Sequence, residues 1–177
     1  RSRSAWKLAQ LDDRLNFLRN KNCVLDLGAA PGGWTQVALE RANNTTKVVA
    51  VDISTMKPIP RVEILQLDMK GVDVIPRILL ALGGKADVVL SEMASPTTGH
   101  KHTDHVRTMA LCQIAFDVAY SVLVEGGTLV VKVFQGGTEK VLLEHIKKSF
   151  SNVRHVKPSA SRKESREIFL VAVGFRN

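Results

Sequence analysis

Six short runs of Val, Leu and Ile with few charges recur along this chain: Val24–Leu27, Val48–Val51, Ile64–Leu67, Val88–Leu90, Thr128–Val133 and Ile168–Val173. Runs this short and this continuously apolar suit parallel strands buried on both faces. Segments with helical spacing separate them. Trp34, Val37, Ala38 and Ala42 fall near one helical face. Met109, Cys112, Ile114, Ala115, Val118, Ala119 and Val122 form a longer stripe after Asp104, and Val141, Leu142, His145, Ile146 and Phe150 form a third. The spacing of Leu8, Leu11, Leu15 and Leu18 predicts an opening helix over residues 4–19. Alternation of strand and helix predicts a three-layer α/β fold. No internal repeat or low-complexity linker interrupts the 177 residues, so residues 1–177 read as one domain.

Composition narrows the function classes. With 45% apolar and 24% charged residues the chain has an ordinary globular balance, which argues against disorder and fibrous repeats. Nothing approaches 18 uninterrupted apolar residues, so no membrane partner is expected. No long apolar surface stripe demands a dimer, and a monomer is expected. Aromatic residues make up only 5%, too few for an extended stacking surface. The formal charge of +8 is unevenly placed: net +4 over residues 1–21, net −2 over 22–131 and net +6 over 132–177. If the two basic ends meet in the fold, they form one positive face suited to a polyanion. Cys23 and Cys112 each sit in an apolar run and read as small buried hydrophobes, without a disulfide or zinc framework. This fits a reducing compartment. The chain begins at Arg1 rather than Met, which leaves open a preceding targeting segment.

The strongest local signal is Val24-Leu-Asp-Leu-Gly-Ala-Ala-Pro-Gly-Gly-Trp34, a strand running into a small-residue turn that opens a helix. Gly28, Gly32 and Gly33 let the backbone approach a ligand, and the helix start offers unpaired N–H groups. A dinucleotide-binding turn reads G-x-G-x-x-G. Here the second glycine is missing, and Pro31 removes one N–H from the cradle. Asp26 beside the glycines would repel phosphate and suit a cation. This pattern favours S-adenosylmethionine, which carries a sulfonium and an ammonium and no phosphate. Asp52 ends the second strand, 24 residues after Gly28, where it can accept hydrogen bonds from ribose hydroxyls. Asp68 ends the third strand, placed to accept from an adenine amino group, and Glu92 follows the fourth. Any one of these acids is ordinarily a helix cap or a solvated loop residue. Four at the C-terminal ends of successive strands mark the place where open α/β sheets bind ligands. Lys132 interrupts a strand that otherwise reads as central. It is either an edge lysine whose head reaches water or a lysine aimed into the cleft.

Together these residues give the chain a resemblance to the FtsJ-type RNA ribose 2′-O-methyltransferases, the bacterial heat-shock enzyme of the large ribosomal subunit and its mitochondrial relatives. The resemblance spans nearly the whole chain. It rests on Arg1-Ser-Arg-Ser-Ala-Trp-Lys-Leu8, Asp26-Leu-Gly-Ala-Ala-Pro-Gly-Gly-Trp34, Ser91-Glu-Met-Ala94, Gly126-Gly-Thr-Leu-Val-Val-Lys-Val-Phe-Gln-Gly136 and Ser165-Arg-Glu167. It implies a Rossmann-like S-adenosylmethionine-dependent methyltransferase fold: a mostly parallel seven-stranded sheet with one antiparallel strand and helices on both faces. The family uses a Lys-Asp-Lys-Glu tetrad. By motif, Lys7, Glu92, Lys132 and Glu167 match it, with Glu92 standing where the family has aspartate. The resemblance further implies that Gly32, Trp34, Asp52 and Asp68 contact S-adenosylmethionine.

The reaction this implies is attack of a ribose 2′-oxygen on the sulfonium methyl group, with Lys132 orienting and deprotonating the hydroxyl, Glu92 holding Lys132, and Lys7 with Glu167 placing the ribose. The implied substrate is a uridine in the peptidyl-transferase region of large-subunit ribosomal RNA, in a bacterial cytoplasm or a mitochondrion. Methylation of tRNA or an mRNA cap is the nearest alternative, and an RNA-binding protein that holds S-adenosylmethionine without turnover is another. RNA would lie over Arg1, Arg3, Arg14, Arg154, Lys157, Arg162, Lys163 and Arg166. His100, His102 and His105 with Asp104 read as a loop and helix start beside the cleft rather than as a metal site.

Overall fold

The computed structural model describes residues 2–135, 138 and 140–177. Of the residues singled out above, Arg1 and Gly136 lie outside this set. Seven strands form one sheet in the order β3-β2-β1-β4-β5-β7-β6. They are β1 (Cys23–Leu27), β2 (Lys47–Asp52), β3 (Val62–Gln66), β4 (Ala86–Ser91), β5 (Leu123–Phe134), β6 (Phe150–Val156) and β7 (Glu167–Phe175). All pairings from β3 across to β5 are parallel; β7 runs antiparallel to both of its neighbours. The single reversed strand agrees with the fold expected from the resemblance. Every residue of β1 is buried, the condition its continuous apolar run anticipates.

The two faces of the sheet are covered by different helices, and the two-residue period of the strands sorts side chains between them. Leu25, Leu27, Val49, Val51, Val89 and Val131 point toward the face covered by α3 (Val74–Leu82), α4 (Lys101–Val122) and α5 (Lys140–Ser149). Val24, Val88, Val130, Phe169 and Val171 point toward α1 (Ser4–Leu15) and α2 (Gly33–Arg41). By the same parity Asp26, Lys132 and Glu167 lie on the α1–α2 face. The thiols of Cys23 and Cys112 are buried, and burial pushes them up to about 11 and about 12.

The opening helix is shorter than its leucine spacing predicts: it stops at Leu15, not Arg19. Asn16 takes a left-handed conformation at φ 48° and donates its N–H to the Asp12 carbonyl. The chain then turns inward. Phe17 and Leu18 become buried, and both donate their N–H to Asp12 Oδ1, at 2.9 and 3.0 Å. Leu18 thus reaches the core through a turn rather than a helical stripe. Two elements fall outside the sequence expectations. Helix α3 was not anticipated; Gly83 ends it at φ 72°. The edge strand β6 exposes Ser151, Asn152, Arg154 and His155, so it lacks the apolar run that marks the other strands. Phe150, assigned above to the stripe of α5, is the first residue of that strand.

Asp12 is 7% exposed and also accepts from Arg41, whereas its neighbour Asp13, paired to the same guanidinium, is 63% exposed. Asp12→Ala leaves two backbone donors without an acceptor and is expected to cost about 2 kcal/mol or more. Asp13→Ala is expected to cost under about 1 kcal/mol. Urea unfolding of both variants checks this; equal losses would contradict the assignment.

Candidate active site

The cleft opens at the C-terminal ends of β1, β2, β3 and β4, at the point where the order of connection reverses between β1 and β4. Its larger lobe, about 470 Å³, is bounded by Gly28, Ala30, Asp52, Asp68, Glu92 and Met93, with Ile53, Leu111 and Ile114 adding apolar wall. A smaller lobe of about 330 Å³ shares Gly28, Ala30 and Glu92 and adds Asp26, Gly33 and Trp34. Gly28 separates the sheet from the loop after β4. At φ +68°, a Cβ there would lie 2.6 Å from Met93 Cγ and 2.8 Å from its Cα, so only glycine lets the two segments approach.

The acids expected to bind a ligand are brought together, with different tasks. Asp52 Oδ2 accepts the N–H of Ala30 at 2.9 Å and Oδ1 that of Ser54 at 2.8 Å. It therefore fixes the glycine turn while each oxygen keeps a further acceptor site. Asp68 lies two residues past the end of β3 rather than at its last position, and its Oδ1 accepts the N–H of Lys70 at 2.9 Å. Asp26 accepts from the Thr35 hydroxyl at 2.7 Å through Oδ2, but its buried Oδ1 has no partner. Glu92 Oε2 is likewise buried and unpartnered. Two carboxylates that line the cleft, each keeping a buried oxygen without a hydrogen bond, suit a cation. The cleft's acids outnumber its bases, which opposes phosphate. These features fit a cationic nucleoside such as S-adenosylmethionine.

Two of the expected contacts also have structural roles. Gly32 lines neither lobe and instead takes φ 117° as the residue before α2. Trp34 borders the smaller lobe, yet its ring packs 5.5 Å from that of Phe169 and its indole N–H donates to the Ser4 carbonyl at 2.9 Å. That bond fastens the start of α1 over the cleft. Ser2, Arg3 and Ser4 consequently wall the smaller lobe, a contribution the sequence reading missed. A Cβ on Gly33 would collide with Ser2 Oγ, the close packing that the last glycine of the turn permits.

Beside the cleft lies the tetrad. Lys132 is 8% exposed on a strand with neighbours on both sides, which excludes the edge-lysine reading. Glu167 Oε1 lies 3.7 Å from Lys132 Nζ and Oε2 accepts from Lys7 Nζ at 3.0 Å. Burial pushes Glu167 up, but the two lysines prevail and hold it below the ordinary carboxylate range. Lys132 thus pairs with Glu167, not with Glu92 as expected. Glu92 instead hydrogen-bonds the Ser4 side chain; burial holds its carboxyl above the ordinary range despite the fields of Lys132 and Lys7. A third hollow of about 250 Å³, between Arg3, Lys7, Arg162, Ser165 and Glu167, opens over the tetrad.

The two basic ends do meet there. Gln10 Oε1 accepts the N–H of Ala160 at 2.7 Å, joining α1 to the segment before β7. The cations differ in what they can offer a polyanion. Lys157 Nζ donates to the carbonyls of Ser165 at 2.7 Å and Lys163 at 3.3 Å, closing its own loop. Arg166 lies over the Phe134 ring and Arg154 donates to Asn152, while Arg3, Arg14, Arg162 and Lys163 are exposed. Asp104 accepts from the N–H and hydroxyl of Thr98 at the start of α4. Among the described residues, no three His, Cys, Asp or Glu side chains are arranged to hold a metal.

Burial, opposed by the Thr35 hydrogen bond and reinforced by Glu92 and Asp52, raises the Asp26 carboxyl from 3.8 to about 7. Between those values the native state holds a proton that the unfolded chain has released, so this group lowers stability as pH rises from about 4 to about 7. Asp26→Asn keeps an acceptor for Thr35 and removes the titration. Urea unfolding at about pH 5 and about pH 8 should show a loss in the parent that the variant lacks. Parallel pH profiles would contradict the raised carboxyl.

The model of the FtsJ-like methyltransferase family matches residues 1–175. A ribosomal RNA large subunit methyltransferase E from Paramagnetospirillum magneticum is 53% identical over 181 residues, covering 99% of this chain and 74% of that protein. The protein of the same name from Granulibacter bethesdensis is 50% identical over 176 residues, covering 99% and 76%. A crystal structure named for a ribosomal RNA methyltransferase of Plasmodium falciparum superposes with a TM-score of 0.87 at 34% identity, covering 99% of this chain and 98% of that one. With its sheet order, its acid-lined cleft and its paired lysines, the chain belongs to the FtsJ-like methyltransferase family.

Proposed function

We propose that this protein methylates a ribose 2′-oxygen of large-subunit ribosomal RNA, at a uridine in the peptidyl-transferase region, using S-adenosylmethionine. The observation that carries this reading is the placement of Lys132, Glu167 and Lys7 beside a cleft whose buried acids lack partners. The names of the relatives above support ribosomal RNA as the acceptor. When bound, S-adenosylmethionine supplies an activated methyl group on a positively charged sulfur. Asp52 and Asp68 offer acceptor sites for its ribose and adenine, and Asp26 and Glu92 offer negative charge for its cationic end. Ser2, Arg3 and Ser4 offer donors for its carboxylate.

Lys132 orients the acceptor hydroxyl and, in its neutral amine form, would take the hydroxyl proton as the new C–O bond forms and the methyl–sulfur bond breaks. Glu167 holds Lys132 and Lys7 in one array, and Lys7 reaches into the hollow where the ribose would enter. The wall formed by residues 2–4 shields the smaller lobe from water, which strengthens the charge interactions there.

The test is transfer of labelled methyl from S-adenosylmethionine to large ribosomal subunits from a strain lacking the modification. The parent protein should label a ribose 2′-oxygen. Lys132→Ala should lose about a hundred- to ten-thousand-fold in kcat while binding the cofactor with little change. Cofactor binding without transfer to any RNA would reject catalysis in favour of a binding protein. Arg162→Ala should lower the salt slope of RNA affinity by about 1, whereas Lys157→Met should leave it unchanged because that ammonium is occupied within its loop.

A further inference from the structure

The chain has two tryptophans with opposite environments. Trp34 is 3% exposed in the core, whereas Trp6 is 70% exposed on α1, immediately before Lys7. A single exposed apolar residue is common on soluble proteins and carries little by itself. The position of Trp6 adds the second observation. Helix α1 buries Leu8, Leu11 and Asp12; Trp6 lies on its opposite side with half-buried Gln10 four residues on, and exposed Arg3 precedes the helix. Arg3 and Lys7 line the hollow over the tetrad, facing Arg162 and Ser165 across it, while Gln10 holds the opposing segment through Ala160. Trp6 is not among the residues that line the hollow, but it is next in sequence to Lys7 and three residues from Arg3, both of which line it.

We propose that the indole of Trp6 is a stacking platform for one nucleobase of the acceptor RNA, next to the nucleotide whose ribose reaches Lys7. This rests on the functional reading above and deepens it. A strand entering the hollow beside Arg3 and Lys7 runs past this turn of α1, where the exposed Trp6 ring is open to a base. The two side chains diverge by about 100° around the helix, which assigns the ring to a flanking nucleotide and not to the acceptor's own base. A flat π surface beside cations is the combination that single-stranded RNA requires: the cations Arg3 and Arg162 meet the backbone and the ring meets a base. Discrimination against other polyanions would come from the ring, since phosphate chemistry alone cannot distinguish them.

The experiment combines kinetics with the emission of Trp6, which is distinct from that of buried Trp34. Trp6→Ala should raise KM for the ribosomal acceptor by about ten- to a hundredfold and change kcat far less, and Trp6→Phe should restore most of the loss. A short single-stranded RNA should quench the exposed emission to saturation, and inorganic polyphosphate should not. An unchanged KM in Trp6→Ala, or emission unmoved by RNA that binds, would overturn the proposal and leave the methyltransferase reading standing. If the parent protein transfers no methyl to RNA, that reading fails instead. The titration then still decides on Trp6: saturable quenching by RNA upholds stacking, and its absence overturns it.

Discussion

One carboxylate shared by two ammonium groups fastens the corner where both ends of this chain meet the sheet. Glu167 opens β7, and its antiparallel register places it opposite Phe134, with Lys132 opposite Phe169. Glu167 and Lys132 are therefore diagonal neighbours on one face of the sheet, a separation that long side chains can bridge. Lys7 arrives from the other end of the chain, 160 residues away, to take the second oxygen. Taking one of these charges out of water costs several kcal/mol unless it is paired. Splitting the two oxygens of Glu167 between two lysines gives both cations a partner, and it draws α1 onto the sheet. The hollow between Arg3, Arg162 and Ser165 is bordered by two members of this array, Lys7 and Glu167.

The cofactor side follows the opposite logic. There the acids outnumber the bases, and Asp26 and Glu92 each keep a buried oxygen without a hydrogen bond. Burial drives both carboxyls toward the neutral form. Such an arrangement is costly for the protein alone and favourable only with a cation in the cleft, so fold stability and ligand charge are linked. Glu92 stands at the junction. Its backbone N–H meets the Leu27 carbonyl, its side chain bonds Ser4, and it borders both lobes.

Much of the fold was legible because its central strands are buried on both faces and carry no alternation to misread. The candidate acids were legible for the same reason: a polar residue at the C-terminal end of such a run has few places to go but the cleft. What escaped the sequence depends on contacts between distant segments. The end of α1 is set by Asp12 reaching the N–H groups of Phe17 and Leu18, which no leucine spacing reveals. Strand β6 is an edge strand whose polar pattern resembles a loop. The partner of Lys132 depended on which acid the β5–β7 register brought near: the sequence reading assigned Glu92, and the register brings Glu167.

The basic ends show why formal charge overstates what a surface can offer RNA. Lys157 looks as available as Arg162 in the sequence, but its ammonium is bonded to two carbonyls of its own loop. Arg166 is drawn over Phe134 and donates to Gln135. These cations shape the segment that precedes Glu167, and so they act on the tetrad through the backbone. Arg3, Arg14, Arg162 and Lys163 remain exposed around α1 and that segment. Arg3 and Arg162 border the same hollow as Lys7, so a phosphate backbone drawn to them would be guided toward Lys7. In the proposed reaction, electrostatics would bring the strand to the hollow and the array around Glu167 would determine where its ribose stops.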